Sequence, residues 1–478
     1  MFRFAGLYVS RMCATMMVLE FSILYFLAYS YYGIIESNGN PPNLTHGAAA
    51  TLISLGVIVG MYSVGLYNRK CFFYFRESAS RATVVFPLIL VAFLALFAAR
   101  DYALQGAWLP ANSLLCAAAI VTFLPALLLI RKFGLNALDR SDLFKTRVLV
   151  IGNGARAGSL QNLSRDLRHR SFAIVGYAQL APDSGSTIVK DDAQPDRRGD
   201  DRRPDFVIDP KNLLNFCRER RIDEIVIAST ERRGMPVHEL LDCKLHGFNT
   251  LEFSTFWERE SGQIFLDDMS PSWLLFSDGF QMSKGRIVVQ RALDIVIASL
   301  LLILSLPVTL LTALLIKLES EGPIFYRQTR VGLHGKPFDV VKFRSMRVDA
   351  ERHGPRWASK DDSRATRVGS FIRKVRIDEI PQVFNVLRGD MAFVGPRPER
   401  PVFVSVLAEK IPYYEVRHAA KPGITGWAQI NYPYGASVED AKRKLALDLY
   451  YIKNGNIFLD IMTMIQTGKV LLWNGGAR

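Results

Sequence analysis

Four apolar runs fill most of the first 130 residues: 12–32, 47–67, 82–99 and 111–130. Each approaches the roughly 20 residues that cross a bilayer as a helix. Such runs have few other folds open to them, because backbone polar groups in lipid must be satisfied within the segment. The first run is not a cleavable signal. It carries Glu20, lacks a small-residue cleavage site and is followed by three more runs. The loops set orientation. Residues 33–46 hold no Lys or Arg, and 100–110 hold one. Residues 68–81 carry Arg69, Lys70, Arg76 and Arg81, and Arg131, Lys132, Arg140, Lys145 and Arg147 follow the fourth run. The excess of cations places both ends of a four-helix transmembrane module, residues 1–135, in the cytoplasm. Glu20 is the one acid well inside a span, open to a functional reading or a satisfied, interfacial one.

Half of the chain is hydrophobic (49%), yet its net charge is +14 over 478 residues. That pairing suits a membrane protein with basic cytoplasmic surfaces. A nucleic-acid binder would concentrate its charge without long apolar runs, so no nucleic-acid partner is expected. The five cysteines (Cys13, Cys71, Cys116, Cys217, Cys243) are scattered, with no CxxC pair. They read as neither a disulfide framework nor a zinc site.

From Arg147 the pattern changes. Residues 148–151 read as a buried strand, and Gly152, Gly154 and Ala157 follow in a G-x-G-x-x-A turn. Strands over 173–177 and 224–228 and helices over 212–220 and 236–246 complete a Rossmann-like α/β domain with a parallel sheet, residues 145–265. The acid that would hold a ribose is missing from the end of the second strand. The domain is therefore read as structural or regulatory ahead of nucleotide-binding. Residues 182–204, rich in nearly cancelling charges, read as a solvated loop.

Residues 295–316 form a further apolar run, broken by Ser305-Leu306-Pro307 and basic on both flanks. A crossing helix would carry the C-terminal half outside. A helix broken at Pro307, about 289–318, that enters and leaves by one face keeps everything inside. Ser305 is the local candidate to satisfy the freed carbonyl.

The densest chemistry lies in residues 371–390. Arg373, Lys374 and Arg376 precede Asp378 and Glu379, and apolar residues then fall at Ile380, Val383, Phe384 and Leu387, one helix face. Gly389 stands where a C-cap would, and Pro381 falls in the first turn. Asp378 is thus expected at a helix start, where the dipole and neighbouring cations hold it ionised. Read alone, it suits a nucleophile, a metal ligand or a plain N-cap.

Those residues lie among others: Gly322 to Gln328, Arg330-Val331-Gly332, Phe338 to Met346, Gly395-Pro396-Arg397-Pro398, Lys421 to Asn431 and Leu447 to Tyr451. Taken together they closely resemble the bacterial sugar transferase family, the polyprenyl-phosphate hexose-1-phosphate transferases, from about Gly285 to the C-terminus. The layout resembles the large members, with a mainly α monotopic catalytic domain over residues 285–478. The resemblance implies transfer of a hexose 1-phosphate from a UDP-sugar to undecaprenyl phosphate at the cytoplasmic face of the bacterial inner membrane, through an aspartyl-phosphate intermediate. Asp378 matches the nucleophile and Glu379 a Mg²⁺ ligand, with Asp378 beside it at the metal. Arg397, held in its turn by Pro396, is expected to clamp phosphate. Arg376, Arg373, Lys342 and Arg344 are further candidates for phosphate contact, or for lipid headgroups. Asp448 is expected either to support the metal or substrate site or to pair with a cation. Glucose 1-phosphate is expected ahead of galactose 1-phosphate, for exopolysaccharide, capsule or O-antigen synthesis. The sequence does not choose between a monomer and a homodimer. A nucleotide-sensing scaffold with a degenerate transferase domain is the competing reading, and the intact Asp378-Glu379 pair argues against it. Trp427, Trp473, Tyr450 and Tyr451 read as interfacial anchors or core. Residues 456–473 read as an amphipathic surface helix and not a fifth span.

Overall fold

The computed structural model describes residues 2–4, 7–9, 11–36, 44–63, 66–67, 78–79, 82, 86–87, 121–134, 145–152, 154–165, 172–181, 187–188, 204–230, 233–277, 279–280, 282–347, 350, 364–433, 435 and 437–472. The chain divides into two compact units, Met1–Phe4 with Tyr8–Ser261, and Ala5–Leu7 with Gly262–Arg478.

In the first unit, helices α1 (Arg11–Glu36) and α2 (Leu44–Ser63) cover the first two expected spans. Among the described residues, two helices are long and apolar enough to cross a membrane, with windows Cys13–Ser30 and Lys284–Glu319. Most of the third expected span (82–99), the first half of the fourth (111–130) and most of the expected solvated loop (182–204) lie outside the described residues, but Thr187–Ile188 within that loop form a short strand. Glu20 is fully buried and satisfied. Arg131 donates from Nε to its Oε1 (2.9 Å) and from Nη2 to its Oε2 (3.2 Å), and the Tyr67 hydroxyl also donates to Oε2. Arg131 Nη1 donates to the Leu66 carbonyl and to Ser78 Oγ. Arg131, counted in the sequence among the cations that follow the fourth run, is therefore buried. The acid inside the apolar module holds it there, because a lone buried charge would be far costlier.

The α/β part of this unit carries strands β1 (Thr146–Ile151), β2 (Phe172–Leu180), β3 (Thr187–Ile188), β4 (Phe206–Ile208), β5 (Glu224–Ile227) and β6 (Asn249–Glu252). They lie in the order β3-β4-β2-β1-β5-β6, parallel except for the antiparallel edge strand β3. The strand order reverses at β1, where open α/β sheets form their crevice. Gly152, at φ +118°, turns the chain out of β1 so tightly that a Cβ there would stand 2.8 Å from Ser229 N. Arg156, in the first turn of α3 (Ala155–Arg165), donates to the Ser229 carbonyl. The loops after β1 and β5 thus close on one another.

The second unit begins at Gly262, earlier than the expected boundary at 285. Ile264 N bonds the Ala446 carbonyl, and the Trp427 indole donates to the Gly262 carbonyl. The longest element is α4 (Lys284–Glu319), capped by Ser283; it stays helical through Pro307, so the break expected there does not interrupt the helix. Its middle is bare: Ile303, Leu304 and Leu310 are each more than 60% exposed. Its two ends are anchored on this same unit. Arg291 donates to the Val386 and Leu387 carbonyls, Asp294 accepts from Phe393 N, and Ala298 packs with Val340 and Val383. At the other end, Ile316 joins Phe343 and Ile372, and Glu319 accepts from the amides of Arg367 and Val368. Pro307 has no amide to give Ile303. The Ser305 hydroxyl reaches the Leu302 carbonyl instead (3.5 Å), so Ser305 does not satisfy the carbonyl for which it was expected.

A hairpin follows, β7 (Phe325–Val331) against β8 (Pro337–Phe343), turning at His334 and Gly335, both with positive φ. Helix α5 (Arg367–Lys374) leads to a 3₁₀ turn, Ile377–Gln382, which runs straight into α6 (Val383–Arg388). Gly389, at φ +96°, ends it as expected. The short parallel pair β9 (Ala392–Val394) and β10 (Gly423–Thr425) lies beyond. Between them runs α7 (Pro401–Lys410), and α8 (Val438–Asn454) and α9 (Ile457–Leu472) close the unit. Tyr450 and Tyr451 are core, each at most 2% exposed; Trp473 lies outside the described residues. Helix α9 is packed into the unit and not laid on a surface: Leu459 is in its core. Asp460 and Thr463 are buried and Thr467 bonds Thr425, whereas Ile461 faces out.

Candidate active site

Three segments meet at the site. Strand β8 presents Lys342, the 3₁₀ turn presents Asp378 and Glu379, and the turn after β9 presents Arg397. The carboxylate of Glu379 is the hub. Its Oε1 accepts from Arg397 Nη2 at 2.8 Å and Lys342 Nζ at 3.0 Å, with Arg376 Nη1 at 3.8 Å. Burial by itself would push this carboxyl up, but the Arg397 and Lys342 charges overcome it and hold it well below the usual range. Asp378 is 8% exposed, and its Oδ1 is buried with no hydrogen-bond partner. The sequence predicts that the dipole and nearby cations hold it ionised, but burial, then the adjacent Glu379 charge, pushes its carboxyl up to about 6, against the pull of Lys342, Arg376 and Arg397. An orphan carboxylate oxygen beside three cations is an arrangement awaiting a group that is both electrophilic and anionic.

The local fold explains how this is held. Arg376 adopts φ +62°, a left-handed conformation rare for a side chain of its size, and so swings the chain from α5 into the turn. Asn385, 1% exposed on α6, accepts from Val341 N (3.0 Å) and donates to the Asp339 carbonyl (2.7 Å). It closes the free edge of β8 and fixes Lys342 against the turn. Gly395 and Gly423 face one another so closely that a Cβ on Gly423 would stand 2.1 Å from Gly395 N. Gly423 N bonds the Pro396 carbonyl, so Pro396 serves as backbone in the turn that carries Arg397.

Of the residues singled out in the sequence, the structure gathers Asp378, Glu379, Lys342, Arg376 and Arg397. Arg344 goes elsewhere. It is 6% exposed and donates to the Glu321 and Ser320 carbonyls and to Ser320 Oγ, clamping the end of α4. Arg373 stands in the last turn of α5 with no bond to Asp378 or Glu379. Asp448 pairs with Arg417 at 2.7 Å, both buried, and so takes the cation-pairing role. Sequence reasoning passed over Asn385, Arg417 and Arg330, which donates to the Pro398 carbonyl at 3.1 Å. Arg330 stood inside a quoted motif. Arg417 had no signal beyond its own charge.

Two arginines and a lysine gathered on one carboxylate have the chemistry that suits phosphate recognition. The bacterial sugar transferase profile matches residues 285–474. A UDP-glucose:undecaprenyl-phosphate glucose-1-phosphate transferase of Xanthomonas campestris pv. campestris is 32% identical over 372 residues, 74% of this chain and 72% of its own. The chain belongs to the bacterial sugar transferase family. A UDP-N-acetylgalactosamine-undecaprenyl-phosphate N-acetylgalactosaminephosphotransferase of Aeromonas hydrophila is 47% identical over 190 residues, 40% of this chain and 45% of its own. An undecaprenyl-phosphate glucose phosphotransferase of Komagataeibacter xylinus is 33% identical over 334 residues, 68% and 58% respectively. The matches thus span only about half the length of these last two relatives.

Proposed function

We propose that this chain transfers a hexose 1-phosphate from a UDP-sugar to undecaprenyl phosphate at the cytoplasmic membrane face, by way of an aspartyl phosphate. The observation that carries the reading is the partnerless, buried Oδ1 of Asp378 beside the cations gathered on Glu379. Asp378 attacks the sugar-bearing phosphorus. The bond to the bridging oxygen breaks, its electron pair leaves with UMP, and an acyl phosphate forms. A lipid phosphate oxygen then attacks the same phosphorus and returns Asp378 as a carboxylate. Arg397 and Arg376 bind the diphosphate oxygens, and Lys342 keeps Glu379 ionised and in place.

Mg²⁺ belongs to the same proposal. Among the described residues, no three His, Cys, Asp or Glu side chains converge as an all-protein cage. Mg²⁺ commonly uses one or two carboxylates and completes its shell with water and substrate phosphate. The Glu379 carboxylate, with Asp378 beside it, fits that mode, and the metal would supply charge to offset the diphosphate.

The helix α4 supports a membrane placement for this unit. Its bare apolar middle calls for lipid, while both ends dock on one unit, as a helix that enters and leaves by one face requires. Cysteines placed at Glu319 and Asp268 should therefore label from the same side. Labelling from opposite sides overturns this topology.

Glucose 1-phosphate is the sugar phosphate proposed first, with polysaccharide initiation as the role. The test is UMP release from a panel of UDP-sugars, UDP-glucose, UDP-galactose and UDP-N-acetylgalactosamine among them, in membranes carrying the full chain. Full release by Asp378→Asn, or none by the native chain, sinks the reading. Isotope exchange between UMP and UDP-sugar without lipid acceptor tests the covalent intermediate.

A further inference from the structure

We infer that Arg417 and Asp448 are positioning residues for Arg397, forming a buried brace behind the phosphate-binding turn. Arg417 lies in a 3₁₀ turn, Tyr414–Ala419, and is 6% exposed. Its Nη2 donates both to the main-chain carbonyl of Arg397 (2.9 Å) and to Asp448 Oδ2 (2.7 Å). Its Nη1 donates to the Tyr414 hydroxyl (2.6 Å), and the guanidinium lies over that ring at 5.2 Å. Asp448, 2% exposed on α8, is the anchor. The side chain of Arg397 points forward to Glu379 while its carbonyl is held from behind. One residue is thereby fixed at both ends.

The physical need is clear. Arg397 has prolines on either side, which limit φ at two positions but leave the peptide free to tilt as a unit. A charge-assisted bond to its carbonyl removes that freedom. The brace must be ionic, because a buried guanidinium without a carboxylate would itself be unstable. It must be arginine, because its three acceptors are spread across a planar fork that a lysine ammonium, a compact point charge, does not match. Asp448 thus acts on Arg397 through Arg417.

The inference rests on Arg397 being the diphosphate clamp, and a double-mutant cycle tests it. The full chain in detergent is prepared as the native form, Arg417→Lys, Arg397→Ala and the double variant. Asp448→Asn runs in a parallel cycle in case Arg417→Lys does not fold. UMP release from UDP-sugar and calorimetric binding of UDP are both read. A brace predicts a loss in kcat/KM of up to about 100-fold for Arg417→Lys or Asp448→Asn, the scale of a small misplacement at a reacting centre. It also predicts that neither substitution weakens activity or UDP binding further once Arg397 is alanine. Losses that multiply in the double variants overturn it, since residues that merely hold the fold act whatever stands at 397. If the native chain binds UDP but releases no UMP, the proposed reaction fails while the binding cycle still decides the brace. If it binds no UDP, the clamp and the brace both fall.

Discussion

Two of the buried acid–cation clusters among the described residues are satisfied to different degrees. In the α/β domain, Arg259 meets Glu224 through two bonds, at 2.8 and 2.6 Å, and a third goes to Glu260. Asn249 completes Glu224. Burial would raise Glu224, but Arg259 lowers it below the ordinary range. In the catalytic unit, three cations converge on one oxygen of Glu379, and the neighbouring Asp378 keeps an oxygen with nothing to bond. The first cluster is a finished structural joint. The second carries more positive than negative charge, and one carboxylate in it is destabilised. That imbalance separates a site from a brace: a fold that wanted only stability would have paired or removed Asp378.

The comparison can be broken most directly at its two acids. Asp378→Asn should abolish transfer, with UMP release down at least about 1,000-fold, the scale of losing a nucleophile. Glu224→Gln should leave turnover per folded molecule within about twofold and instead lower the stability of the α/β domain by about 3–5 kcal/mol, the penalty of stranding a buried arginine. Limited proteolysis between residues 145 and 261 would read that loss. Equal effects of the two substitutions on activity would mean that the clusters do not differ in kind.

The same destabilisation predicts a pH-dependent gain. The folded carboxyl of Asp378 titrates near 6, above its ordinary 3.8, so the folded chain holds this proton more tightly than the unfolded chain does. Its contribution to stability is greatest below about pH 4 and is lost as pH rises towards 6. Asp378→Asn should therefore stabilise the catalytic unit by up to about 3 kcal/mol at pH 8 and by almost nothing at pH 4. Thermal melts without nucleotide or divalent metal, at the two pH values, check the sign. A variant that is less stable at pH 8 would show that Asp378 is an ordinary cap.

How far the sequence carried this picture depends on what each feature rests on. The order β1, β2, β5 and the helix stop at Gly389 were legible, because periodicity and a C-cap glycine act through local backbone physics; the helix expected to start at Asp378 begins as a 3₁₀ turn and becomes α only at Val383. The hub on Glu379 was legible only as a set of candidates. Lys342 and Arg344 stand two apart and should share a face of a strand, but β8 ends at Phe343, where alternation no longer aims the side chain. Arg344 is therefore free to turn to the end of α4. Asn385 was invisible because closing a strand edge from a helix is a tertiary event. Arg344→Gln should lower the melting temperature, by the equivalent of about 1–3 kcal/mol for stranded carbonyls, while leaving the KM for UDP-sugar unchanged. A raised KM would return Arg344 to the site.

The smallest effect belongs to Ser305. The sequence nominates it to satisfy the carbonyl that Pro307 frees, yet its hydroxyl reaches Leu302 at 3.5 Å, one residue short. Thr309 and Thr312 make the tighter bonds in this stretch, to Leu306 at 2.8 Å and Val308 at 2.7 Å. A bond of 3.5 Å in a helix already satisfied elsewhere contributes little. Ser305→Ala should change stability by no more than about 0.5 kcal/mol and transfer by less than about twofold. Pro307→Ala restores the missing amide and removes the ring that crowds the Ile303 carbonyl, so it should stiffen α4 and weaken membrane docking of the catalytic unit. If Ser305→Ala were the more damaging of the two, the hydroxyl and not the imino acid would be setting the path of this helix.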